Sequence, residues 1–182
     1  MDHEEDEEDL DEHTDDDNEE DLDEDNETID PEEDIVLDEE ENHVKSQKKS
    51  IPNFISIRIM AEEGKTFGGY DLLQSLLANR LNYGEMKLFH QYADATKKQK
   101  LFSLASANEP GDFELSTMKD FETNGLIVYM NPRDHQDPLD IFDKMLAVAE
   151  DLAYDLRGEL MASDDQVWTD ETTNEIRDTL SV

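Results

Sequence analysis

The sequence predicts an α+β domain in which six strands and three helices stack one layer on another behind a long acidic tail. Three observations lead there. The stretch 101–130, LFSLASANEPGDFELSTMKDFETNGLIVYM, reads as two strands, about 100–107 and 125–130, joined through a Pro-Gly turn and a short irregular excursion. Apolar stripes at helical spacing over about 70–81 and 139–157 supply the covering layer. Charge divides the chain: residues 1–42 hold 27 of the 51 acidic residues and none of the 15 basic ones, so the remainder is only mildly acidic, at about −9.

Residues 1–43 carry too few apolar side chains and too much like charge to offset the entropy of folding, and they read as a disordered tail. Together with the short basic linker at Lys45, Lys48 and Lys49 the tail occupies 1–50, and the folded domain 51–182. The strand at 53–61 alternates, with Ile55, Ile57 and Ile59 on one face and Phe54, Ser56, Arg58 and Met60 on the other. Gly64 turns the chain, and Gly68-Gly69 reads as a tight turn before a helix of about 70–81, striped by Leu72, Leu73, Leu76, Leu77 and Leu81. A second strand is expected at 85–92, with Met86, Leu88 and His90 opposed to Lys87, Phe89 and Gln91, followed by the basic hairpin loop 93–100. In the two strands of the opening stretch, Phe102 and Leu104 share one face while Leu101, Ser103, Ala105 and Ala107 share the other. The longest helix, 139–157, finds its carboxyl-terminal cap in Gly158. Short strands near 159–161 and 166–168 then precede a last helix opened by Thr169-Asp170-Glu171 and running to about Leu180.

The helices need a sheet face to cover, and the bulkier set of Ile55, Ile57, Ile59, Phe89, Phe102, Leu104, Leu126, Val128 and Met130 is the one they take. No fourth helix is left for the opposite face. It should therefore leave Phe54, Met86, Leu88, Ala105, Ala107 and Tyr129 open, with Ser56 beside them, and an uncovered apolar face marks a partner site. Its Met, Phe, Tyr and small residues suit an amphipathic helix or an extended peptide.

Other function classes find little support. The acidic balance repels nucleic acid, and one Tyr with one Phe makes no base-stacking platform. The Asp clusters of the tail lack the glycine-permitted turn of a calcium loop, since no glycine precedes Gly64, and Gly68-Gly69 lacks the rest of a phosphate-loop pattern. His90 and His135 stand without a nucleophile or paired acid, so no catalytic residue, cofactor or metal is expected. With no cysteine, no long apolar run and no leader, the chain as written should be cytoplasmic.

LFSLA, the Pro-Gly turn with its following Phe, MKDF and the threonine turn into an apolar strand resemble the carboxyl-terminal domain of the ZipA family, and the similarity extends over essentially all of 51–182. What the resemblance implies is a six-stranded antiparallel sheet of split β-α-β type with three helices on one face. It also implies a non-enzymatic division adaptor whose bare face binds the carboxyl-terminal tail of FtsZ, at the septum on the cytoplasmic side of the inner membrane. The family's groove positions fall on Phe54, Met86, Ala105 and Tyr129, four of the residues that strand parity leaves open. Where the family often has Met and Lys after LFSLA, this chain has Ala107 and Glu109; its spacer is polyacidic, and the family's membrane anchor is not in the sequence, so membrane contact is expected only through an anchor absent from this chain. A competing reading is an acidic regulatory module in which Ile35-Val36-Leu37, the tail's one compact apolar run, docks on the same face and autoinhibits it.

Overall fold

The computed structural model describes residues 50–181; the acidic tail, its Ile35-Val36-Leu37 run and the Lys45, Lys48 and Lys49 patch lie outside the described residues. The chain runs β1 (Ile55–Met60), β2 (Phe67–Gly68), α1 (Gly69–Ala78), β3 (Asn82–Tyr83), β4 (Phe89–Tyr92), β5 (Lys100–Ser106), β6 (Glu122–Thr123), β7 (Gly125–Met130), α2 (Pro138–Leu156), β8 (Glu159–Met161) and α3 (Asp170–Leu180). Six strands form an antiparallel sheet in the order β3-β4-β5-β7-β1-β8, and β2 pairs with β6 in a separate ribbon.

Alternation along the strands decides which side is covered. Ile55, Ile57 and Ile59 pair across the ladder with Met130, Val128 and Leu126, Val128 pairs on with Leu104, and Leu104 with Phe89. This row forms one buried cluster with Leu72 and Leu76 of α1, with Ile141, Phe142, Met145, Leu146, Ala149 and Leu152 of α2, and with Leu180 of α3. Three helices thus share one sheet face. Two of the helix starts have side-chain caps: Asp137 Oδ1 accepts the Asp140 N–H at 3.1 Å with Pro138 in the first turn, and Thr169 Oγ1 accepts the Thr172 N–H at 3.2 Å.

The irregular stretch between β5 and β6 is anchored by aromatics. Tyr83, Phe89, Phe113 and Phe121 follow one another at centroid separations of 5.4, 5.2 and 5.5 Å, and the Tyr83 hydroxyl donates to the Phe113 carbonyl at 2.8 Å. Met118 of this stretch is buried beside α1.

Several elements differ from the sequence expectation. Residues 85–87 form a single 3-10 turn and not the start of a strand, because Met86 and Lys87 both take left-handed backbone, at φ 58° and 56°. The sixth strand is Asn82–Tyr83; Val167 makes only an isolated bridge with Met161, so 166–168 is not a strand. A register shift at Gln91/Tyr92 puts Leu101 into the helix-covered cluster although parity places it with Ser103. Gly68-Gly69 is not a tight turn: Gly69 opens α1, where a Cβ would stand 2.0 Å from the Met118 carbonyl oxygen, so close approach and not turning requires it. Arg157, at φ 56°, and not Gly158 takes the left-handed position after α2, and the Gly158 N–H donates back to Ala153 at 2.8 Å. Gly158 is small for another reason, since a Cβ there would meet the Phe67 ring at 2.9 Å.

Candidate functional site

The helix-free face is built in rows across the strands. One row runs from His90 on β4 to Ser103 on β5, Tyr129 on β7 and Ser56 on β1. The next contains Ala105, Ile127, Arg58 and Met161, and beyond it Ala107 donates its N–H to Gly125, whose register partner is Met60. Phe54, just before β1, meets Tyr129 edge to face at 6.4 Å. A shallow depression of about 160 Å³ beside this pair is bordered by Lys100, Ser103 and Asn131.

Phe54 is 66% exposed and Met86 81%. Ser56, Ala105, Ala107 and Tyr129 are half-buried. Leu88 departs from the expectation that it is open: it is 6% exposed, yet stands outside the cluster under the helices. The turn at 85–87 explains both side chains. Left-handed Met86 and Lys87 reverse the chain within one step, the Leu88 N–H closes on the Glu85 carbonyl at 3.1 Å and the Gly84 N–H on Leu88 at 2.9 Å, so Met86 faces water while Leu88 is drawn in. The excursion holds the turn from outside: Phe113 N–H donates to the Lys87 carbonyl at 2.9 Å, and Lys87 Nζ pairs with Glu114 at 2.9 Å. That pairing raises the Lys87 pKa and lowers that of Glu114.

His90 is a structural member of the face. It is 1% exposed, with Nδ1 2.8 Å from Ser103 Oγ and Nε2 3.0 Å from the Glu85 carbonyl oxygen. A carbonyl only accepts, so Nε2 carries the proton and Nδ1 accepts from the serine. Burial pushes the imidazole's pKa down, the Glu85 carbonyl opposes this, and the charge of Lys100 adds to the lowering. His135, in the loop before α2, has no partner at Nδ1 among the described residues. The serine beside His90 is itself buried, at 5% exposure, and no group of metal-binding side chains occurs among the described residues.

Four residues join the face that the sequence reading did not place in the site: Ile127, Arg58, Met60 and Met161, all half-buried. Parity contained the signal for the first three, since Ile127 alternates in step with Tyr129, and Arg58 and Met60 with Phe54. Met161 needed the pairing of β8 with β1. Arg58 is ion-paired with Asp165 at this edge.

The arrangement offers an apolar strip of the kind on which an extended or helical chain is held. Among the described residues no helix is long and apolar enough to cross a membrane.

The family model for "ZipA, C-terminal FtsZ-binding domain" matches residues 53–179. A cell division protein ZipA of Shewanella sediminis is 38% identical over 117 residues, covering 64% of this chain and 34% of that protein. One of Ectopseudomonas mendocina is 31% identical over 135 residues, 74% of this chain and 50% of its own length, and one of Colwellia psychrerythraea is 34% identical over 122 residues, 66% and 32%. The chain therefore spans about a third to a half of the length of these relatives. With the match running from just before β1 to the last turn of α3, the chain belongs to the ZipA C-terminal FtsZ-binding domain family.

Proposed function

We propose that the helix-free face binds the carboxyl-terminal tail of FtsZ, and that the protein is a non-enzymatic division adaptor that tethers or stabilises FtsZ filaments at the septum, on the cytoplasmic side of the inner membrane. The observation that supports this is the pair Phe54 and Met86, two large apolar side chains standing in water, one against Tyr129 and one in the turn whose Glu85 carbonyl bonds His90, in a domain whose family is described by its binding of FtsZ.

Phe54, Met86 and Tyr129 serve as anchors, because their apolar area is free to be covered and their neighbours leave space for an incoming chain. Ser56, Ala105 and Ala107 keep the floor low so that a peptide backbone approaches closely. Leu88 supports the strip from within. One peptide in a shallow groove must offset its own ordering, so binding of micromolar order is expected.

Titration of a labelled FtsZ tail peptide tests the reading. Met86→Glu and Tyr129→Glu should each abolish binding while melting temperature and circular dichroism stay unchanged. Full affinity in both variants would put the site elsewhere.

A further inference from the structure

We infer that the β4–β5 hairpin is an electrostatic selector, making this face prefer a peptide whose apolar anchors are flanked by acidic residues; the inference rests on the peptide-binding reading above. The hairpin reverses the local charge. Residues 50–182 carry 24 acidic and 12 basic side chains, yet three of those basic residues, Lys97, Lys98 and Lys100, fall within four positions. All three are exposed.

Their placement connects them to the apolar strip. Lys97 Nζ lies 6.0 Å from the centroid of the Tyr92 ring, and Tyr92 stands 6.0 Å from the His90 ring. His90 bonds Ser103, Ser103 pairs with Tyr129, and Tyr129 meets Phe54, so one unbroken row leads from the cation to the exposed Phe54 ring. The loop itself is fixed: Asp94 accepts from the Thr96 N–H at 2.8 Å, Ala93 N–H donates to Gln99 at 3.0 Å, and Lys97 N–H to Asp94 at 3.3 Å.

The carboxylates beside the hairpin have partners of their own: Asp134 accepts from the Asn131 amide at 3.0 Å, Asp137 from the Asp140 N–H at 3.1 Å, and Asp140 pairs with Lys144 at 2.6 Å. Asp94 stays ionised, its pKa lowered by the two bonds from Thr96, and its acceptor capacity is used inside the loop. Glu85 faces Lys100 at 3.7 Å. Lys97 and Lys98 form no ion pair among the described residues, and they are the charges on offer to a ligand. A carboxylate passing along the row meets them at the strip's β4–β5 end, whereas a basic flank is repelled. An anionic lipid surface suits the hairpin less well, because the surrounding acidic excess repels a bilayer over a much wider area than three lysines cover.

The test uses the full chain and the FtsZ tail peptide lengthened, at each end in turn, by three Glu or three Gln. At low salt the Glu form should bind roughly three- to tenfold tighter at one end, the range that two exposed ion pairs supply. High salt, or the double substitution Lys97→Gln with Lys98→Gln, should remove that preference and leave the Gln form's affinity unchanged. Equal affinity of Glu and Gln forms at both ends overturns the inference, as does a preference that survives the double substitution. Wild-type protein sedimenting with phosphatidylserine vesicles while showing no peptide preference also overturns it, in favour of a lipid contact. Binding of no peptide form at all overturns the peptide-binding reading, and the inference with it.

Discussion

Met86 shows what a single residue's backbone does to a surface. Its left-handed conformation costs about 1 kcal/mol or more for a side chain with a Cβ, and Lys87 beside it takes the same conformation. Such strain persists only where surrounding bonds hold it, here those of Gly84, Leu88 and Phe113. Met86→Gly should therefore leave the melting temperature equal or higher while weakening FtsZ peptide binding; a clear loss of stability would mean that the methionine side chain itself holds the turn. His90 gives a pH dependence with a definite sign. Its folded-state pKa lies below the ordinary value of about 6.5, so the unfolded chain binds the proton first as pH falls. The stability it contributes is complete above that value and is lost as pH drops through and below it. Thermal melts from pH 8 to pH 5 should show a steeper loss below about 6.5 for the wild type than for His90→Gln; parallel curves would remove His90 as the cause.

Among the elements, α2 and α3 were legible from stripes and caps, beginning and ending within a residue or two of where these place them, whereas α1 stops at Ala78, short of the expected 81, and leaves Leu77 of its stripe exposed. Capping is local chemistry, and Asp137 illustrates it, since removing its acceptor frees one orphan N–H. Asp137→Ala should cost about 1 kcal/mol in denaturant unfolding with no change in peptide affinity. The edge of the sheet was not legible. At 85–92 every second residue looks like a strand face, but the excursion through Phe113 and Glu114 bonds across to Lys87 and converts the first three residues into a turn. At Leu101 one shifted register undid the parity count, because a period of two has no tolerance for an extra residue.

At the level of the whole molecule, uncovered area and buried support separate cleanly. Phe54→Ala should leave stability nearly unchanged and weaken peptide binding, whereas Leu88→Ala, at a buried position, should cost roughly 2–5 kcal/mol of unfolding free energy. Comparing the two by denaturation and by titration checks the division; equal destabilisation would contradict it. Leu88 and Leu101 apart, the helix-covered residues of the sheet and the number of helices available to cover them followed from composition and period, both local properties that follow from φ/ψ geometry and side-chain size. Whether Leu88 joins the surface, which strand closes the sheet at β3, and why Gly69 and Gly158 must be glycine depended on contacts between segments far apart in the chain, the approach of Met118 to α1 and of Phe67 to the end of α2. No periodicity encodes such contacts, because they arise only when the packed layers bring those atoms within reach of one another.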